Sequence, residues 1–168
     1  MHRRARHKHH TIIVGISEMK VSNDPELSLI TYSLGSCLGI AIYDPLARVG
    51  GMLHAMLPES SLQQDGSRKS PCMFVDSGVP MLFRSAYKLG AHKERIIVKA
   101  AGGAELLEED RYFGIGHRNY ECLTELLERN GVRLAASAVG GKASRTMRME
   151  LATGKVSISI PGRAEFEL

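Results

Sequence analysis

Apolar residues first recur in short β-branched runs, then at helical spacing, then in short runs again. Residues 11–17 (TIIVGIS) and 27–34 (LSLITYSL) predict two strands, separated by the turn signal Ser22-Asn23-Asp24-Pro25. Gly35-Ser36-Cys37 interrupts the second run, and residues 38–43 (LGIAIY) resume it. After the turn signal Asp44-Pro45, residues 51–57 (GMLHAML) predict a further strand. Residues 58–72 are polar and carry Pro, Gly and Ser, which predicts a long loop. Phe74, Val75, Val79, Leu82, Phe83, Ala86 and Leu89 then recur at helical spacing. Asp76 or Ser77 is the expected cap, which puts Pro80 in the first turn and Gly90 at the stop.

Residues 95–101 (RIIVKAA) predict a buried strand closed by Gly102-Gly103, and residues 118–129 a second helix whose Leu123, Leu126 and Leu127 share one face. Three more strands are expected at residues 132–139, 146–151 and 156–160, the last two joined by a hairpin at Thr153-Gly154. Two helices and about seven strands that do not alternate regularly predict an α+β fold. The expectation is a layered sandwich of mixed or antiparallel sheet packed with two main helices.

Charge changes this picture in one place. The 168 residues carry 22 Lys and Arg against 18 Asp and Glu, a net +4. Residues 1–10 (MHRRARHKHH) hold four of those bases and no acid, so the other 158 residues balance 18 against 18. The basic character belongs to a tail, expected to be disordered, ahead of one domain over residues 11–168. The body has no basic motif of a nucleic-acid binder. No apolar run reaches the roughly 20 residues of a membrane-spanning helix, and no secretory leader is evident, so a cytoplasmic location is expected.

Cys37, Cys72 and Cys122 are widely spaced and form no CxxC pair, so neither a disulfide framework nor a zinc ribbon is indicated, and no metal or cofactor is expected. Cys72 and Cys122 read as structural. Cys37 differs because it follows Gly35-Ser36 at a break between apolar runs, where a thiol can face a cleft and freed backbone N–H groups can face an oxyanion. His54 lies inside an apolar strand and must bond to something. Spacing alone leaves two readings of His54: a buried histidine satisfied by a carbonyl, or a base for Cys37.

Gly35-Ser36-Cys37, with His54 seventeen residues on and Asp44-Pro45 between them, resembles the chemoreceptor glutamine deamidase family, CheD. So do His54-Ala55-Met56-Leu57-Pro58, Ala101-Gly102-Gly103-Ala104, Ile115-Gly116-His117-Arg118-Asn119, and Gly140-Gly141 followed by Arg145. These pieces stand in family order from residue 11 to about 160. The resemblance implies a fold like that of cysteine-hydrolase toxin catalytic domains and a Cys–His–Thr triad. Its nucleophile falls on Cys37, its histidine on His54, and its threonine, six residues before the cysteine, on Thr31. Ser33 stands where some relatives have Gly, which adds a hydroxyl near the site.

The implied reaction is hydrolysis of glutamine side-chain amides on the cytoplasmic helices of methyl-accepting chemoreceptors, with receptor methyl esters as a second substrate. Gly35 and Ser36 would support the turn. Arg118 and Asn119 have two readings: substrate contact or site support, or a helix start in which Asn119 caps and Arg118 pairs with an acid. The polar loop at 58–72 and the segment 102–115 are candidates for the rim. The family resemblance also implies a CheC-type phosphatase as a partner, and a non-catalytic adaptor for it is the alternative role.

Overall fold

The computed structural model describes residues 10–63, 69–107 and 113–168. Most of the basic tail, with residues 64–68 and 108–112 of the two rim candidates, lies outside the described residues. His10 already belongs to the first strand.

Ten strands form two mixed sheets, and the expectation of a layered α+β fold with two helices is borne out among the described residues. One sheet contains β1 (His10–Ile13), β3 (Leu27–Leu34), β8 (Arg145–Glu150), β9 (Val156–Ser159) and β10 (Phe166–Glu167) in that spatial order. The other runs β2 (Met19–Ser22), β5 (Val49–Ala55), β4 (Leu38–Asp44), β6 (Ile97–Gly102) and β7 (Leu134–Val139). Helices α1 (Val75–Lys88) and α2 (Ile115–Arg129) cover the outer face of this second sheet. The parallel pairing of β6 and β7 follows from the helical crossover between them.

Layering explains the near-continuous apolar reading of β4 and β5, whose residues are all buried. Leu38, Ile40, Ile42 and Leu53 face the helices, whereas Ala41, Tyr43 and Met52 face the other sheet. Cys37 lies at the edge of that inter-sheet core.

Local rules moved several boundaries. The run at 11–17 divides because Ser17 turns at φ 59°, sending the chain from the first sheet into β2 of the second. Asp76 and Ser77 do not cap α1. Phe74 is its extended N-cap, and Pro80 is the sixth residue of the helix. Asp76 instead accepts Ser60 N–H and Oγ–H at 2.9 Å each, and Ser77 donates to Pro71 O at 2.7 Å. The helix α2 starts three residues before the expected position because Gly114, at φ 54°, turns the chain into it.

Asp44 closes the far end of β4. Its buried carboxylate meets Arg95 at 2.8 Å and accepts the N–H groups of Leu46, Ala47 and His92. Burial alone would raise its pKa, but the Arg95 guanidinium and these N–H groups outweigh burial and hold it well below the usual carboxylate range. Asp44→Ala leaves those donors unmatched and should cost about 3 kcal/mol in denaturant unfolding at neutral pH. Because the folded pKa is depressed, that contribution is full above the unfolded value and is lost as pH falls toward the folded one. The gap between wild type and variant should therefore narrow in acid.

Candidate active site

The turn carrying Cys37 begins with a bulge in β3. Register slips between Thr31 and Leu34, and Ser33 sits at φ 57° in the left-handed region. A glycine adopts that conformation freely, so a Gly at this position would keep the bulge. Ser33 is exposed, and its carbonyl accepts Gly35 N–H at 3.0 Å.

Three successive carbonyls of the turn are held from outside. Gly35 O accepts Ala104 N–H at 2.8 Å, and Cys37 O accepts Gly103 N–H at 2.8 Å. Ser36 O accepts Asn119 Nδ2–H at 2.8 Å. Gly102-Gly103 is thus a strand end that clamps the turn, with Gly102 at φ 107° and no room for a side chain against Cys37 O. Arg145 braces this end. Buried, with no carboxylate partner among the described residues, it donates to Gly140 O at 2.8 Å, Ala143 O at 3.1 Å and, more weakly, Gly102 O at 3.5 Å.

His54 pairs with Gly39 across β5 and β4, so both point into the inter-sheet space, where Gly39 lies against Leu34 and Met147. Cys37, at the bend leading into β4, packs at the edge of the same inter-sheet core that His54 faces. Thr31 reaches His54 from the opposite sheet. Its Oγ1 lies 2.7 Å from Val14 O and 2.7 Å from His54 Nδ1. A threonine hydroxyl has one proton, and a carbonyl can only accept it. The hydroxyl therefore donates to Val14 O and accepts from Nδ1–H, which leaves Nε2 of the neutral ring bare. Nε2 is buried and has no protein partner among the described residues.

Sequence reading did not find the segment that frames this histidine. Ser17 N–H donates to His54 O at 2.9 Å and His54 N–H to Glu18 O at 3.0 Å, so the β1–β2 turn grips the base by its backbone. Ser70 Oγ in turn donates to Ser17 O at 3.2 Å, which brings the end of the 58–72 segment beside it. On the other side, Leu106 covers Gly35, which places part of the 102–115 segment over the turn.

Asn119 is not a cap. It lies in the second turn of α2, fully buried, and also donates to Met56 O at 3.0 Å. Arg118 is exposed, and no carboxylate pairs with it among the described residues. His117 bonds Glu121 on the surface at 2.9 Å. Cys72 is buried, and Cys122 donates to Pro58 O at 3.3 Å. Burial, with Asp76 and Glu59 next in effect, pushes the Cys122 thiol up to about 11. Neither is activated.

Burial likewise raises the Cys37 thiol, partly offset by its own backbone N–H, and lowers His54. Both effects favour the neutral forms of thiol and imidazole.

The family model described as CheD chemotactic sensory transduction matches residues 56–160. The chain belongs to the CheD family. It is 45% identical over 151 residues to a protein of Syntrophus aciditrophicus (strain SB) named probable chemoreceptor glutamine deamidase CheD 1, covering 90% of this chain and 94% of that one. The CheD protein of Solibacter usitatus (strain Ellin6076), which carries the same probable deamidase name, is 45% identical over 152 residues, 90% of each chain. A Thermococcus kodakarensis relative so named is 41% identical over 145 residues, 85% of this chain and 88% of that one. These CheD alignments run well beyond the span of the family model. No helix among the described residues is long and apolar enough to cross a membrane.

Proposed function

We propose that this chain hydrolyses glutamine side-chain amides on chemoreceptors to glutamate, with Cys37 as nucleophile, His54 as base and Thr31 as the group that orients it. The observation that carries this reading is the Thr31 hydroxyl between Val14 O and His54 Nδ1, because it leaves Nε2 free to take a proton in the inter-sheet core that Cys37 edges.

An amide is a weak electrophile, and a neutral thiol attacks it poorly. As Cys37 Sγ forms its bond to the carboxamide carbon, His54 Nε2 takes the thiol proton. The resulting imidazolium gives that proton to the departing nitrogen as the C–N bond breaks, releasing ammonia and leaving a thioester. Water then adds to the thioester carbonyl, with Nε2 again as base, and the glutamate leaves with Cys37 restored. A glutamate methyl ester follows the same course with methanol as the leaving group. The names of the relatives and the matching triad positions support a receptor side chain as substrate. Incubation with a receptor cytoplasmic fragment should release ammonia and add about one dalton to the fragment per glutamine converted. A fragment of unchanged mass overturns the reading.

The shift of both groups toward their neutral forms has a measurable consequence. Catalysis needs neutral His54, and burial favours that form, so the acid limb of kcat/KM should lie below the ordinary histidine value of about 6.5. Alkylation of Cys37 by iodoacetamide, without substrate, should rise only above the ordinary thiol value of about 8.5. Rapid alkylation near pH 6 would indicate a preformed thiolate–imidazolium pair and contradict the neutral assignment.

A further inference from the structure

We propose that Asn119 is a positioning residue that aims the Cys37 amide N–H at the developing oxyanion by holding the other end of the same peptide group. The inference rests on Cys37 being the nucleophile. Ser36 C=O and Cys37 N–H belong to one planar trans unit and point in opposite directions, so a bond that fixes the carbonyl also fixes the N–H. Asn119 supplies that bond at 2.8 Å. Its second amide hydrogen goes to Met56 O, two residues past His54, so one side chain spans the nucleophile turn and the strand of the base. Both partners only accept, which settles which end of the amide faces them.

Among the described residues, Ser36 O is the one of the three turn carbonyls held by a side chain; backbone N–H groups hold those of Gly35 and Cys37. A substitution at 119 therefore releases the Ser36–Cys37 peptide and leaves the rest of the clamp in place. The N–H groups of Ser36 and Cys37 bond to no protein acceptor among the described residues. A free donor beside the attacking atom is where the oxygen of a tetrahedral intermediate gathers charge. The Oδ1 of Asn119 is buried with no partner among the described residues, a cost that an apolar residue of similar shape would avoid. What the amide offers in return is its two donors.

The test compares full-length Asn119→Ala and Asn119→Asp with wild type on a receptor cytoplasmic fragment, beside alkylation of Cys37 by iodoacetamide at about pH 9. Alkylation needs the thiol but forms no oxyanion. For Asn119→Ala, kcat should fall about 10²–10³-fold, the loss expected for one oxyanion donor, with KM and the alkylation rate within about threefold of wild type. A kcat within about threefold of wild type, or alkylation that falls in step with kcat, overturns the proposal. Asn119→Asp keeps the volume and serves if the alanine variant fails to fold. Its protonated carboxyl can donate, whereas the ionised form repels both carbonyls, so its kcat relative to wild type should rise at least about tenfold from pH 8 to pH 5. A flat ratio contradicts the proposal. Cys37→Ala separates the two levels. If it still turns over, the nucleophile assignment fails. If it is inactive while Asn119→Ala is fully active, only the role of Asn119 fails.

Discussion

Cys37→Ala and His54→Ala will each lower kcat on a receptor glutamine by at least about 10⁴-fold, and the double variant will be no slower than Cys37→Ala alone, because nucleophile and base act as one unit. The geometry gives the reason for non-additivity. His54 Nε2 has no protein partner among the described residues, and its other nitrogen is committed to Thr31, so its chemical use depends on a proton arriving from Cys37 or from water at the same place. Without Cys37 there is no thioester for His54 to hydrolyse. Without His54 the thiol, already raised by burial, stays protonated at neutral pH. Both variants should fold, since Cys37 is half-buried at the edge of its cluster and the His54 backbone is gripped by Ser17 and Glu18. Steady-state deamidation rates with matched circular dichroism spectra check this. Multiplicative losses in the double variant would mean the two side chains work separately.

Gly102→Ala should be the most damaging substitution outside the triad. At φ 107° an L-residue is strained, and an added Cβ would meet the Cys37 carbonyl oxygen at 2.2 Å and Leu34 Cβ at 3.2 Å. The first obstacle is backbone, so relief requires moving the nucleophile turn itself. We expect a loss of about 3 kcal/mol or more in stability, with deamidation falling at least about 100-fold in whatever protein folds. Gly114 provides the control: its φ is 54°, but among the described residues a Cβ there meets nothing within 4 Å. Gly114→Ala should therefore show only the left-handed strain, about 1 kcal/mol. Equal losses at the two positions, measured by denaturant unfolding, would show that the contact with Cys37 is not what requires glycine at 102.

The sequence reading succeeded where one local pattern coincides with one structural element. β3 has the bounds its apolar run predicts, and the pleat of β4 and β5 then decides which residues face the inter-sheet core that Cys37 edges. The family resemblance nominated Thr31, Cys37 and His54 together, but did not show that Thr31 reaches His54 from the opposite sheet. Of the two readings of Asn119, the cap fails for a definite reason. Asparagine near a helix start suggests a cap, yet Gly114 begins α2 earlier and carries Asn119 into the second turn, facing inward. The β1–β2 turn was missed because a serine at positive φ leaves no mark in the sequence, so TIIVGIS reads as one strand. Gly102-Gly103 does carry a signal, since paired glycines after a buried strand invite close backbone approach, but its partner, the Cys37 turn, lies more than sixty residues earlier in the chain.

The central claim is that Cys37 performs the attack on a receptor glutamine. Its most direct test is peptide-level mass spectrometry of a receptor cytoplasmic fragment after incubation with wild type or Cys37→Ala. Wild type should add about one dalton at specific glutamines, and Cys37→Ala none. The same gain at the same glutamines with Cys37→Ala would contradict the claim.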